Sequence, residues 1–133
     1  MENYVLSCCS TADLTKEHFT RRDIHYVCFH FSLDGRQYTD DLGESISYAD
    51  FYAAMERGAD TKTSQVNVEE FISHFEPFLK AGRDVLHLTL SSGISGVLNS
   101  AQAAASMLRD KYPQRKLYIV DSLGASSGYG LLM

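Results

Sequence analysis

Three short segments rich in hydroxyl groups are the places where this sequence could bind an anion. They are residues 9–11 (Cys-Ser-Thr), 62–65 (Lys-Thr-Ser-Gln) and 91–96 (Ser-Ser-Gly-Ile-Ser-Gly). The second and third segments lead into predicted helices, and the first N–H groups of a helix are unpaired and carry partial positive charge. Two such helix ends, with their hydroxyl groups, would together hold a carboxylate or a phosphate without any lysine or arginine. The segments therefore predict a small anion site, although each one alone has the composition of an ordinary turn or helix cap.

Residues 93–98 lack the complete sequence motif of either a serine hydrolase or a phosphate-binding loop. A serine-hydrolase elbow needs Gly-x-Ser-x-Gly, but the sequence after Gly93-Ile94-Ser95 lacks the final glycine. A phosphate-binding loop needs Gly-Lys-Ser/Thr, and Gly96 is followed by Val97. We therefore predict no catalytic residue and no cofactor apart from a bound ligand. Two alternatives stay open: a serine-dependent acyl hydrolase built on Ser95, and a regulatory module that binds another small anion.

The histidines and cysteines favour structural roles over metal binding or redox chemistry. The histidines have no metal-ligand spacing with cysteine or aspartate, so the sequence predicts no metal site. His87 lies in the middle of an apolar run and is predicted to be a core or sheet-face residue. The three cysteines lie in predicted strands, where a buried cysteine behaves as a small apolar side chain. They are Cys8, Cys9 and Cys28.

The elements that would position these segments alternate between strand and helix. Apolar and β-branched runs predict strands over residues 4–8, 26–33, 85–90 and 117–120, with a hairpin arm over 37–42. Helical spacing and capping residues predict helices over 16–22, 47–58, 67–82 and 97–112, and a helix beginning at 126. This order predicts an α/β fold with a doubly wound, mostly parallel sheet and helices on both faces. In such a sheet, ligands bind beyond the carboxyl ends of the strands.

Composition and charge exclude several classes of protein. The chain has 133 residues and a net charge of −5, so it has the size of one domain and lacks the basic face that nucleic-acid binding needs. No apolar run approaches the length of a membrane span, and we expect a cytoplasmic protein without a transmembrane segment. Residues 126–133 resemble the start of an apolar helix without a polar tail. We therefore expect residues 1–133 to be the first of two domains of a longer protein.

Four segments, taken together and in order, resemble the DegV family of fatty-acid-binding proteins. Family members have Ser/Thr-Ala-Asp-Leu after the first strand, then Thr-Ser-Gln-Pro, then Ser-Ser-x-Leu-Ser-Gly-Thr-Tyr, and finally Asp-Ser before a helix start rich in serine and glycine. The matching residues are 10–14, 63–66, 91–98 and 121–130. Three departures are visible: Cys9 stands for the usual Asp, Val66 for the Pro, and Val97-Leu98 for Thr-Tyr. The four matches cover nearly the whole chain.

The resemblance implies a lipid carrier and not a catalyst. In this family two α/β domains hold one fatty acid between them, and bacterial members are similar to the lipid-presenting subunit of fatty-acid kinase. The implied partners are a fatty acid and the ATP-binding subunit of the kinase, which carries out the phosphorylation; transient membrane contact is compatible with this role. The residues implied to bind the carboxylate are Thr63 and Ser95, with Ser64 and Ser92 nearby. The supporting loop residues are Ser10, Thr11, Gly96 and Ser122.

Overall fold

The computed structural model describes residues 4–133, which form seven strands and five α-helices. In chain order these are β1 (Tyr4–Cys9), a 3-10 turn (Ser10–Ala12), α1 (Lys16–Arg21), β2 (Ile24–Val27), β3 (His30–Leu33), β4 (Arg36–Thr39), α2 (Tyr48–Glu56), β5 (Thr61–Ser64), α3 (Val68–Lys80), β6 (Asp84–Thr89), α4 (Val97–Lys111), β7 (Leu117–Asp121) and α5 (Ser127–Gly130). Among the described residues, no helix combines the length and apolar character needed to cross a membrane.

The main sheet is parallel and carries helices on both of its faces. Its strand order is β2-β1-β6-β7, and every neighbouring pair is parallel. Successive side chains of a strand point to opposite faces, and the two cores follow this alternation. Val5 and Val85 belong to the core that includes the buried faces of α3 and α4. Cys8 and Leu88 belong to the core on the other face, together with Phe19 of α1. The predicted α/β class and the doubly wound parallel sheet are confirmed.

A second, antiparallel sheet corrects the prediction for residues 26–33. The sequence predicts one strand there, but the segment contributes to two, β2 and β3, which belong to different sheets. The backbone leaves the main sheet near Phe29, whose N–H donates to Ser10 Oγ at 3.0 Å and whose carbonyl accepts from Asp40 N at 2.8 Å. These bonds use the groups that would otherwise continue the parallel ladder. Cys28 consequently lies between two strands and not within one.

Residues 62–65, predicted as a loop before a helix, are mostly strand. β5 is an edge strand of the small sheet, whose order is β4-β3-β5. Thr63 lies opposite Phe31, and Ser64 lies opposite His30. The prediction misses this strand because its residues are polar and largely exposed, so no apolar alternation marks them. The predicted hairpin arm is confirmed as β4, which pairs with β3.

Both ends of α3 are fixed by its own residues, as the sequence predicts. Asn67 Oδ1 accepts from Glu70 N at 2.9 Å, and a Glu70 carboxylate oxygen accepts from Asn67 N at 2.9 Å, which together make a capping box. At the other end Gly82 has a φ of 79°. Arg83 N donates to Phe78 O at 3.0 Å, the long bond of a Schellman motif. These local bonds explain why the bounds of α3 can be read from sequence.

Candidate anion site at the carboxyl edge of the main sheet

The loops after three parallel strands lie at one edge of the main sheet. β1, β6 and β7 run in the same direction, so the loops that follow them lie beyond the same edge. The loops after β6 and β7 are joined directly. Ser91 N donates to Gly124 O at 3.0 Å, and Ser92 N donates to Asp121 Oδ1 at 3.1 Å. Residues 91–96 are therefore held in a fixed position beyond the end of β6.

Ser95 lies just before α4 and has a hydroxyl proton that can be redirected. Its Oγ accepts from Val97 N at 3.2 Å and donates to Gln65 Oε1 at 3.4 Å. The second distance is long for an O–H···O bond, which is usually about 2.7–2.8 Å, so a stronger acceptor can replace the amide. The N-cap residue of α4 is Gly96, which has no side chain to cap the helix. Ser95 therefore offers a donor beside a helix N-terminus, where negative charge is favoured.

Gln65 links Ser95 to the strand that carries Thr63. It directly follows β5, and its Nε2 donates to Ser100 Oγ of α4 at 3.1 Å. A Cβ atom at Gly96 would lie 3.2 Å from Gln65 Oε1, so the missing side chain at this position lets the amide come close. The end of β5 therefore packs on the first turns of α4. Thr63 therefore lies two residues before Gln65, the residue that contacts Ser95 directly.

Thr63 and Ser64 face different surfaces because successive strand residues point to opposite sides. Thr63 lines a cavity of about 220 Å³ between the small sheet and α2. Ser64 lines a separate polar groove together with Arg36 and Ser45. Of these two neighbours, Thr63 is the one that the structure places on the cavity.

The cavity beside Thr63 has mostly aromatic walls. Its apolar lining residues are Phe29, Phe31, Ile46, Tyr48, Phe51 and Tyr52. The rings of Phe31 and Phe51 meet edge to face with centroids 5.2 Å apart, and this contact joins β3 to α2. Asp40 also lines the cavity, and burial raises the pKa of its carboxyl group. The cavity therefore suits an apolar group better than a second carboxylate.

The start of α3, where the sequence predicts part of the anion site, already carries a carboxylate of the chain itself. The capping box uses the N–H of Glu70 in the first turn and the N–H of Asn67, the N-cap. The Glu70 carboxylate also contacts His30 Nε2. Because a carboxylate of the chain itself lies at this helix end and disfavours a second anion, we expect the N-terminus of α4, and not that of α3, to face the ligand.

Two other predicted site residues have partners inside the loops. Ser92 Oγ donates to Asp121, and this bond, with one from Leu123 N at 3.1 Å, lowers the pKa of the Asp121 carboxyl group. Ser122 Oγ accepts from Gly124 N at 3.2 Å. The hydroxyl proton of Ser92 is thus used within the protein, and Ser122 shapes the turn after β7.

The loop after β1 is held by a tyrosine that sequence reasoning missed. Tyr129 of α5 is fully buried, and its OH donates to Cys9 O at 3.1 Å. The same OH lies 2.8 Å from Thr11 Oγ1, and Thr11 is the donor there because the tyrosine proton goes to the carbonyl. Ser10 Oγ accepts from Phe29 N at 3.0 Å. Glycines flank Tyr129 in sequence, so the apolar periodicity that marks a core residue is absent.

The surroundings of Ser95 differ from those of an activated nucleophile. Within residues 4–133 its hydroxyl bonds to the Gln65 amide and to Val97 N, neither of which can take its proton as a general base. His87 is fully buried and bonds to Ser7, so its prediction as a core residue is confirmed.

Comparisons with known proteins point to one family. The family model described as "Uncharacterised protein, DegV family" matches residues 9–133. A DegV domain-containing protein of Clostridium perfringens is 35% identical over 133 residues, which is 100% of this chain and 46% of the relative. A solved stearic-acid-binding protein from Eubacterium ventriosum superposes with a TM-score of 0.88 and 30% identity, over 97% of this chain and 44% of that one. A DegV family protein from Thermus thermophilus, described by its fatty acid binding, gives 0.83 and 30%, over 99% and 45%. The chain spans about half the length of these relatives.

Proposed function

The chain belongs to the DegV family, and on that premise we propose that it binds a long-chain fatty acid. The carboxylate accepts hydrogen bonds from Thr63 and Ser95 beside the N-terminus of α4. The observation that carries this proposal is the Ser95 hydroxyl, whose donor bond to Gln65 is long at 3.4 Å and which lies at a helix N-terminus whose N-cap residue is a glycine. Fatty acids are named as ligands of both solved relatives described above.

Binding uses donors that the chain already orients. Ser95 keeps its bond from Val97 N, which fixes its oxygen, while its proton turns from Gln65 to the carboxylate. Thr63 adds a second hydroxyl donor from the edge of β5. Hydrogen bonds to a charged group are worth about 1.5–3 kcal/mol each. No lysine or arginine is needed at this position, because the dipole of α4 supplies positive potential.

The alkyl chain would pack first against the aromatic cavity beside Thr63. Each buried methylene contributes about 0.8 kcal/mol, so enclosure of the tail dominates the affinity for a long-chain acid. The cavity of about 220 Å³ is smaller than the roughly 300–1,000 Å³ of sites that enclose whole drug-sized ligands. We therefore expect the 133-residue chain to bind long-chain acids more weakly than the longer relatives do.

The proposed biological role is that of a carrier which presents its lipid to a kinase. The sequence resemblance supports this role, since similar bacterial proteins offer the carboxylate to a separate ATP-binding subunit. In this proposal the chain works in the cytoplasm, contacts membranes transiently and uses no cofactor of its own. Phosphoryl transfer belongs to the partner, so the purified chain should not turn over ATP or a fatty acid.

Native mass spectrometry, with solvent extraction of the purified and unheated chain, tests the ligand class directly. We expect a co-purified fatty acid, or an added one, at close to one per chain. Titration with an acid and an alcohol of equal length then tests the head group, and the acid should bind more tightly. Equal affinity for both would contradict a carboxylate site, and no binding of either would refute the proposal.

Thr63 and Ser64 provide a matched pair of variants. Thr63→Ala should weaken fatty-acid binding by about 1.5–3 kcal/mol, because a charged acceptor loses a donor. Ser64→Ala removes the neighbouring hydroxyl on the opposite side of β5 and should change affinity little. Equal losses in the two variants would argue for a general effect on β5 instead of a contact from Thr63.

A phosphate is the other anion that the N-terminus of α4 could hold. Thermal shifts with inorganic phosphate, with and without a fatty acid, separate the two ligand classes. A stabilisation by phosphate that exceeds the effect of the acid would favour a regulatory anion module. Hydrolysis of acyl esters, lost in Ser95→Ala, would favour the hydrolase alternative.

A further inference from the structure

A chain of four hydrogen-bonding side chains lies inside the protein, away from the proposed ligand site. His74 Nε2 lies 2.7 Å from Ser7 Oγ, which lies 2.9 Å from His87 Nδ1. His87 Nε2 in turn lies 3.7 Å from Cys9 Sγ. Ser7, His87 and Cys9 are fully buried, and His74 is partly buried on α3. The chain therefore joins α3 to β1 and β6 through a single serine hydroxyl.

The serine proton restricts the two imidazoles to matching tautomers. In one arrangement Ser7 donates to His74 Nε2, so His87 must donate from Nδ1, and the Cys9 thiol donates to His87 Nε2. In the other, His74 donates from Nε2, Ser7 donates to His87 Nδ1, and His87 donates from Nε2 to Cys9 Sγ. Both rings carry their proton on Nδ1 in the first case and on Nε2 in the second. A mixed pair leaves a buried group unpaired, which is costly.

We propose that this serine-bridged pair of imidazoles is an acid-sensitive latch that holds α3 on the main sheet. One added proton is tolerated: when His74, the less buried ring, is charged, it donates from Nε2 to Ser7, Ser7 donates to His87 Nδ1, and His87 donates from Nε2 to Cys9. A second proton breaks the chain. Both rings then aim an N–H at Ser7 Oγ, whose own proton loses its acceptor, and two cations stand with ring centroids 6.2 Å apart.

Few negatively charged groups face His74 and His87 that could balance the charge of two protonated imidazoles. From α3, the rings of Phe71 and Phe75 pack on His87 with centroids 5.4 and 5.0 Å away. From β2, the facing titratable group is His25, whose Nε2 lies 3.5 Å from Asp23 Oδ1. From β1 it is the Cys9 thiol, whose pKa burial raises.

The ion pairs of α3 itself point elsewhere. Glu70 contacts His30 of the small sheet, and Glu76 contacts Lys111 of α4. These acidic groups are engaged with bases on other elements, so they do not compensate charge on the latch.

The direction of the acid effect follows from the folded pKa values. Burial lowers the pKa of His74 to about 4 and that of His87 well below its ordinary value. In the unfolded chain both imidazoles titrate near 6.5. Below about pH 6.5 the unfolded state therefore binds more protons than the folded state, and stability falls as the pH approaches 4. Above pH 6.5 the two groups cause no further change.

If the latch opens and α3 separates from the main sheet, the proposed ligand site will also be disturbed. α3 begins at Val68, three residues after Gln65, which contacts Ser95 and Gly96. This consequence rests on the proposed function, whereas the latch itself does not. Loss of the latch can therefore be measured on the protein without any fatty acid.

Two measurements test the latch. Long-range ¹⁵N–¹H correlation spectra at pH 7 report imidazole tautomers, and we expect His74 and His87 to show the same one. Denaturant unfolding between pH 7 and 4.5 should show a steep loss of stability. His74→Phe keeps a ring and leaves Ser7 free to donate to His87, so it should reduce the acid-induced rise in the unfolding constant by roughly 20- to 100-fold at pH 4.5.

His18→Gln is the matched control, because His18 lies on α1 on the other face of the main sheet. It should leave the acid response close to that of the parent chain. Mixed tautomers, or an unchanged acid response in His74→Phe, would overturn the proposal. If His74→Phe does not fold, the tautomer spectra of the parent protein still decide the matter.

Discussion

Replacing Ser95 with alanine tests two roles of its hydroxyl, a contact with the bound carboxylate and a stabilising contact within the protein. The side chain accepts from Val97 N at 3.2 Å and donates to Gln65 at 3.4 Å. Loss of the first bond should lower the free energy of unfolding by about 0.5–1.5 kcal/mol. Loss of a donor to a bound carboxylate should cost about 1.5–3 kcal/mol of binding free energy, which raises Kd roughly 12- to 160-fold.

The assay is isothermal titration with hexadecanoate at pH 8, below the concentration at which the acid forms micelles, together with urea unfolding of each variant. Ser92→Ala is the matched control from the same loop, since its hydroxyl donates to Asp121. It should lose stability but keep its affinity within about threefold. Ser95→Thr keeps a hydroxyl at the helix start and should retain most of the binding.

An unchanged Kd in Ser95→Ala would refute the assignment of its hydroxyl to the carboxylate. An equal loss in Ser92→Ala would show that loop order, and not the direction of the Ser95 proton, controls affinity. A fall in stability with no fall in affinity would leave Ser95 as a purely structural residue.

Three further changes test neighbouring parts of the structure. Gly96→Ala should displace the Gln65 amide, because the new Cβ would lie 3.2 Å from its oxygen, and calorimetry should show weaker fatty-acid binding. The control is Gly128→Ala, whose new Cβ would have no atom within 4 Å, and it should bind the fatty acid normally. Asn67→Ala removes one half of a capping box and should lower the free energy of unfolding by about 0.5–2 kcal/mol in urea titrations, and a neutral result would contradict the cap. Burial, with nearby carboxylates, raises the pKa of the Cys28 thiol to about 11. Alkylation of Cys28 at pH 8 should therefore be roughly a hundredfold slower than that of a free cysteine, and an equal rate would contradict its burial.

The class of fold could be predicted because its signals are local. The apolar run of β6, the capping box of α3 and the glycine after that helix are all read within a few residues. Such signals fix which segments are strands or helices and where they end. They also placed the serine- and glycine-rich loop 91–96 at the carboxyl end of a strand, where ligands bind in this architecture.

The candidate site was predicted less completely, because hydroxyl groups look alike in sequence. Ser92 and Ser95 are three residues apart in one loop, yet the first gives its proton to Asp121 and the second gives its proton to Gln65 in a long bond. Thr63 and Ser64 are neighbours but face different surfaces, because they belong to a strand that the sequence did not reveal. Which hydroxyl is free depends on partners about thirty residues away.

Sequence alone determined the alternation of strands and helices and the position of the polar loops, since backbone hydrogen bonding and apolar periodicity act over short distances. Tertiary structure alone decided where the chain leaves the main sheet, at a backbone amide bonded to Ser10. It also buried Tyr129 against Cys9, 120 residues away, and joined Ser7 to His87, 80 residues away. These contacts form only after the helices pack on the sheet. A buried polar group must then find a partner among whatever packing has brought near, and no local pattern specifies that partner.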